Sequence, residues 1–170
     1  MPNWKDFCDL EPKQCSKNIG LERIHMPQIN TKNDLKQFKK ICKKLNYKTE
    51  IKLLKNICNK TIYTSQNEIN QTKAEQIPVN NNKIPIVPVI MMKYKKEYMI
   101  LDGHHRWLAH HLKCSNLYIF QINVNKNLND SFHNINNELK THSLNFHKGH
   151  TINQTKKRKY IKKNKTKRKL

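Results

Sequence analysis

Apolar residues recur at three- and four-residue steps over one early stretch of the chain: Leu35, Phe38, Ile41, Cys42 and Leu45. That period places them on one face of an α-helix, with Thr31 or Asn33 as its cap. The opposite face carries Lys36, Lys39, Lys40, Lys43 and Lys44. A solvated face is the commoner meaning of such a run, and contact with phosphates is the alternative. Residues 49–64 are mixed and predict a strand and its connection. Ser65-Gln66-Asn67-Glu68 reads S-x-x-E, a capping box. The Ser65 hydroxyl would accept from the Glu68 amide while the Glu68 carboxylate reaches back to the Ser65 N–H, opening a short helix over about 66–75. Asn80-Asn81-Asn82 with Pro78, Pro85 and Pro88 marks a loop. A hairpin follows, with strands Ile86–Met92 and Glu97–Leu101 about a lysine-rich turn, and the prolines place its first strand at a sheet edge. Trp107, Leu108, Ala109 and Leu112 continue as a helix, Leu117–Val124 is β-rich, and Leu128, Phe132, Ile135 and Leu139 give a last amphipathic helix. The pattern predicts a small α+β domain over about 20–141, after an irregular segment 1–19 and before a linker and basic tail, 142–170.

Composition changes this picture at one end. The chain has 170 residues, 36% of them hydrophobic, with 34 Lys+Arg against 12 Asp+Glu for a formal charge of +22. Ten of the 15 residues from Lys156 to Leu170 are basic and none is acidic, a composition expected to be disordered alone. Lys156, Lys157, Arg158, Lys159, Lys162, Lys163, Lys167 and Arg168 are the candidates for nucleic-acid contact, to DNA or RNA, through salt-dependent neutralisation of phosphates. The same cations would serve as a nuclear-import signal. Lys (30), Asn (23) and Ile (18) dominate the chain, as an A/T-rich genome would produce, and such a codon bias would account for part of the basicity without a partner. No apolar run reaches the ~18–20 residues of a membrane span, and the first residues lack a secretory core. An intracellular protein of the cytoplasm or nucleus, with no membrane partner, is expected. The five cysteines, an odd number without C-x-x-C spacing, predict reduced thiols, with Cys42 in the core.

The chemistry concentrates in Asp102-Gly103-His104-His105-Arg106, between a β-rich run and an apolar helix. Gly103 permits a positive φ where strand turns into helix. The first amides of that helix would form an anion site suited to phosphate. Arg106 adds a planar fork for two phosphate oxygens, and His104 and His105 can titrate near neutrality. Asp102 caps the helix, holds Mg²⁺ against the phosphates, or accepts a hydroxyl proton in phosphoryl transfer. The spacing of His104, His105, His110 and His111 includes no i, i+4 pair, which argues against zinc.

The stretch Ile100-Leu101-Asp102-Gly103-His104-His105-Arg106-Trp107 resembles the signature loop of the ParB/sulfiredoxin superfamily. The closest likeness is to ParB-like nuclease-domain proteins and free-serine-kinase-like members that carry DGHHR. Two weaker matches precede it. Arg23-Ile24-His25-Met26-Pro27-Gln28-Ile29 resembles an R-x-x-MPQI element of viral and phage relatives, and Tyr63–Ile69 resembles their PTQ-x-E-I segment, with Ser65 and Gln66 matching its polar pair. The likeness spans about residues 20–125 and, with the A/T-rich composition, would suit a large DNA virus.

The resemblance implies a mixed sheet flanked by helices and a site for a nucleoside di- or triphosphate with Mg²⁺. Members of the superfamily hydrolyse CTP, reduce sulfinic acids with ATP, or phosphorylate a small molecule. Gly103, His105 and Arg106 match the shared G-x-H-R core. His104 stands where sulfiredoxin has its catalytic cysteine, which disfavours sulfinic-acid reduction. The arginine-rich box and helix-turn-helix domain of the CTP-hydrolysing partition proteins are not evident. On the kinase-like side an upstream glutamate is the base, and Glu68 is its match, with the capping box as the structural alternative. The expected function is nucleotide-dependent phosphoryl transfer or nucleotide hydrolysis. Asp102, His104 and Glu68 would assist the chemistry, and Gly103, His104, His105, Arg106, Ser65 and Gln66 would bind the phosphates. The alternative is a non-catalytic DNA-binding module that uses its tail. A nuclease ranks last, because the sequence shows no acidic cluster of the two-metal kind.

Overall fold

The computed structural model describes residues 26–60, 62–66, 69–79 and 83–141. The lysine-backed helix forms as α1, Lys32–Lys44, with Phe38, Ile41 and Cys42 buried. Thr31 is its cap. The Thr31 hydroxyl accepts from the Asp34 N–H at 3.1 Å, and the Asp34 carboxylate accepts from the N–H groups of Thr31 at 3.0 Å and Asn30 at 3.2 Å. Donors that a helix start leaves unpaired are thereby satisfied reciprocally. Burial pushes the Cys42 thiol up to about 12, so it stays protonated and inert at neutral pH.

The remaining elements are β1 (Lys48–Leu54), a 3-10 turn (Ile57–Asn59), β2 (Ile62–Thr64), α2 (Gln71–Glu75), β3 (Val89–Tyr94), β4 (Glu97–Asp102), α3 (His104–Leu112), β5 (Leu117–Asn123) and α4 (Leu128–Thr141). The five strands lie in the order β1-β5-β3-β4-β2. The sheet is mixed: β1 with β5 and β3 with β4 are antiparallel, whereas β3 with β5 and β2 with β4 are parallel. Side chains alternate across a strand, and the alternation divides the core in two. Ile90, Met92, Met99, Leu101, Phe120 and Ile122 pack with residues of α1 and α4. Val89, Met91, Ile100 and Ile119 pack with Trp107 and Leu108 of α3. The expected α+β class is what the chain forms. Among the described residues no helix is long and apolar enough to cross a membrane.

Four expectations are corrected. First, β3 is the central strand, bonded on both sides, because it starts at Val89, just beyond Pro85 and Pro88. A residue without an N–H cannot enter the ladder, so the prolines delay the strand and leave its position in the sheet open. Second, residues 49–64 hold two strands. Third, no helix starts at 66: α2 begins at Gln71, where the Asn70 side chain accepts from the Lys73 N–H at 2.9 Å. The Ser65 hydroxyl instead donates to the Ile100 carbonyl at 2.7 Å, and Glu68 lies outside the described residues. Fourth, Cys58 and Cys114 form a disulfide, with Cα atoms 4.9 Å apart. Two hydrogen bonds draw their turns together, from the Ile57 N–H to the Ser115 carbonyl (3.3 Å) and from the Asn56 N–H to Asn116 Oδ1 (3.2 Å).

Candidate functional site

The β4–α3 junction turns on Gly103, at φ +91° and ψ 26°. A β-carbon there would lie 3.1 Å from Arg106 Nη2, 3.1 Å from Val89 Cγ2 and 3.3 Å from Val89 Cα. Both the left-handed backbone and the lack of space require glycine. The first helical bond runs from the Trp107 N–H to the Gly103 carbonyl at 2.9 Å.

Asp102 does not cap α3, which has no side-chain cap. Its buried carboxylate accepts from the Ile29 N–H at 3.0 Å through Oδ2, fastening the segment before α1 to the end of β4. His104 is also buried. Its Nε2 accepts from the Ser65 N–H at 3.3 Å and lies 3.4 Å from Ser65 Oγ. The Ser65 hydroxyl proton is directed to Ile100, so the amide is the donor to this ring. His105 Nε2 accepts from the Asn70 N–H at 3.1 Å. Gln66 is buried beside Thr64, whose Oγ1 accepts from the Gln66 N–H at 3.2 Å. The structure therefore brings Ser65 and His104 into contact and ties His105 to the start of α2. The two histidines hold the first turn of α3 on its neighbours through their Nε2 lone pairs.

Arg106 is different. Two residues along a helix turn by about 200°, so Arg106 leaves α3 on the side away from His104. It lines a cleft of about 220 Å³ together with Ile77, Pro78, Lys83, Pro85, Val89, His110, Leu117 and Tyr118. The half-buried guanidinium makes no hydrogen bond or ion pair with the described residues. Burial pulls its pKa below the ordinary value and the charge of Asp102 pushes back, yet a guanidinium remains a cation at any physiological pH. Lys83 brings a second positive charge, and among the described residues no Asp or Glu lines the cleft. A planar cation with five donors and no acceptor, set in a pocket, is suited to a phosphate or another oxyanion. The volume is below the ~300–1,000 Å³ of pockets that enclose whole drug-sized ligands. It fits a phosphoryl group and part of what carries it.

Lys83, His110 and Tyr118 are cleft residues that the motif did not name. The signal for His110 was its i, i+4 spacing from Arg106, which sets both on one helix face. Nothing in the sequence places Lys83 or Tyr118 there. Among the described residues no three His, Cys, Asp or Glu side chains gather around one point. Glu68 and the basic residues from Lys156 onward lie outside the described residues. Fold and cleft together define a three-layer α+β domain with a cationic pocket against its central strand. Comparison with protein-family models, curated proteins and solved structures finds no match.

Proposed function

We propose that this domain binds a nucleoside di- or triphosphate, with its phosphates in the cleft beside α3. The observation that carries the reading is Arg106: a half-buried guanidinium without a hydrogen-bond acceptor among the described residues, folded over a residue that has no side chain, in a pocket that also holds Lys83. The resemblance of the DGHHR loop to the ParB/sulfiredoxin superfamily supplies the nucleotide. In this reading His104 and His105 are positioning residues. Phosphoryl transfer or hydrolysis with Mg²⁺ rests on the resemblance, with Asp102 as the metal's protein ligand and Glu68 as base. Titration calorimetry with ATP and CTP in the presence of Mg²⁺, followed by assay of phosphate release, tests it. Charge-assisted hydrogen bonds contribute about 1.5–3 kcal/mol each, so Arg106→Ala is expected to weaken binding by at least about tenfold. Wild type and variant giving the same null result would reject the reading.

A second reading, a nucleic-acid-binding protein, is favoured by the charge at 156–170, where 10 of 15 residues are basic. Removing that segment should lower affinity for duplex DNA or RNA and flatten the dependence of log K on log salt. Unchanged affinity rules it out.

A further inference from the structure

We infer that His110 is the proton-exchanging group of the cleft: its Nε2 takes up a proton as an oxyanion settles against Arg106, and the imidazolium becomes the anion's second donor. The inference rests on the cleft being the anion site and adds to that reading the identity of a proton-linked partner.

The geometry fixes the ring's chemistry. His110 Nδ1 lies 2.5 Å from the Asn116 carbonyl oxygen and 3.0 Å from Ser115 Oγ. A carbonyl oxygen only accepts, so the ring proton sits on Nδ1 and the lone pair on Nε2. The turn that follows α3 holds this arrangement, because the Ser115 N–H donates to the His110 carbonyl at 3.0 Å and the Ser115 carbonyl accepts from Ile57. Nε2 has no partner among the described residues, and it belongs to a side chain that lines the same cleft as Arg106.

The charges around the ring set the direction of the linkage. Arg106 stands on its own helix and Lys113 just past that helix's end, Lys83 comes from the loop before β3, and Tyr118 comes from β5. Burial lowers the His110 pKa, the bond to Asn116 raises it, and Lys113 lowers it again. The net shift is downward, so without a bound anion the imidazole is mostly neutral at neutral pH. A bound dianion supplies a negative charge that none of the described lining residues carries and favours the imidazolium. The folded, bound form then has the higher pKa, binding consumes a proton, and affinity rises as pH falls through the histidine range.

Inorganic sulfate is a clean probe, since it stays a dianion throughout that range. Sulfate affinity of the whole chain, measured from pH 8 to pH 6, is expected to rise about three- to fivefold, on the way to the roughly tenfold limit that a one-unit rise in pKa gives once free and bound forms are both protonated. Calorimetry of the wild type in two buffers of different ionisation heat should show proton uptake on binding, without any substitution. His110→Gln should bind sulfate with a flat pH profile and no uptake, and Arg106→Ala should remove the site. Equal wild-type affinity at both pH values, uptake that persists in His110→Gln, or no sulfate binding at all overturns the inference. Nucleotide binding that depends on Arg106 would still uphold the cleft in each of those cases.

Discussion

Gly103 joins two constraints in one residue, a φ of +91° and a β-carbon position 3.3 Å from the Val89 backbone. Gly103→Ala puts a side chain into the left-handed region and against the central strand, at a cost of about 1–3 kcal/mol. Denaturant unfolding measures this loss, and unaltered stability would contradict the geometry. The same β-carbon would stand 3.1 Å from Arg106 Nη2, so oxyanion binding should weaken with it. At this scale the positive φ of Gly103 was legible, because glycine carries that freedom wherever it sits. The contacts of the two histidines were not. Their partners are the amides of Ser65 and Asn70, 39 and 35 positions away, and a motif read locally shows only a ring that can titrate.

Between elements, the Cys58–Cys114 bond joins the 3-10 turn to the turn after α3 across a separation of 56 residues. Loop-closure entropy for such a span gives roughly 4 kcal/mol, and typical measured values are about 2–4 kcal/mol. Cys58→Ser should lose about that much in oxidising buffer and little in reducing buffer. Wild-type unfolding midpoints that do not respond to reductant would contradict it. The helices α1 and α4 and the strands β4 and β5 were legible from their periods. The start of α2 was not, because S-x-x-E is a local pattern and the cap is Asn70, whose side chain accepts from the Lys73 N–H. Nor was the place of β3: a short apolar run fits either an edge or a centre, and proline only says where a ladder can begin.

For the molecule as a whole, an α+β domain followed from the alternation of helical and extended periods, while the strand order did not. Order depends on which faces find each other, and the two halves of the core are each assembled from distant stretches of chain. The cleft shows the same limit, since Lys83, Arg106 and Tyr118 come from a loop, a helix and a strand that only the fold brings together. The borders of the sheet carry a further consequence. On one side runs β1, with Lys48, Glu50 and Lys52 all exposed, and on the other β2 offers a ladder of three residues. Alternating charge and shortness are the features by which natural sheets discourage strand addition. Copies of this chain meeting side by side find a repulsive hem at one margin and too short a seam at the other, so crowding alone gives the sheet little opportunity to grow.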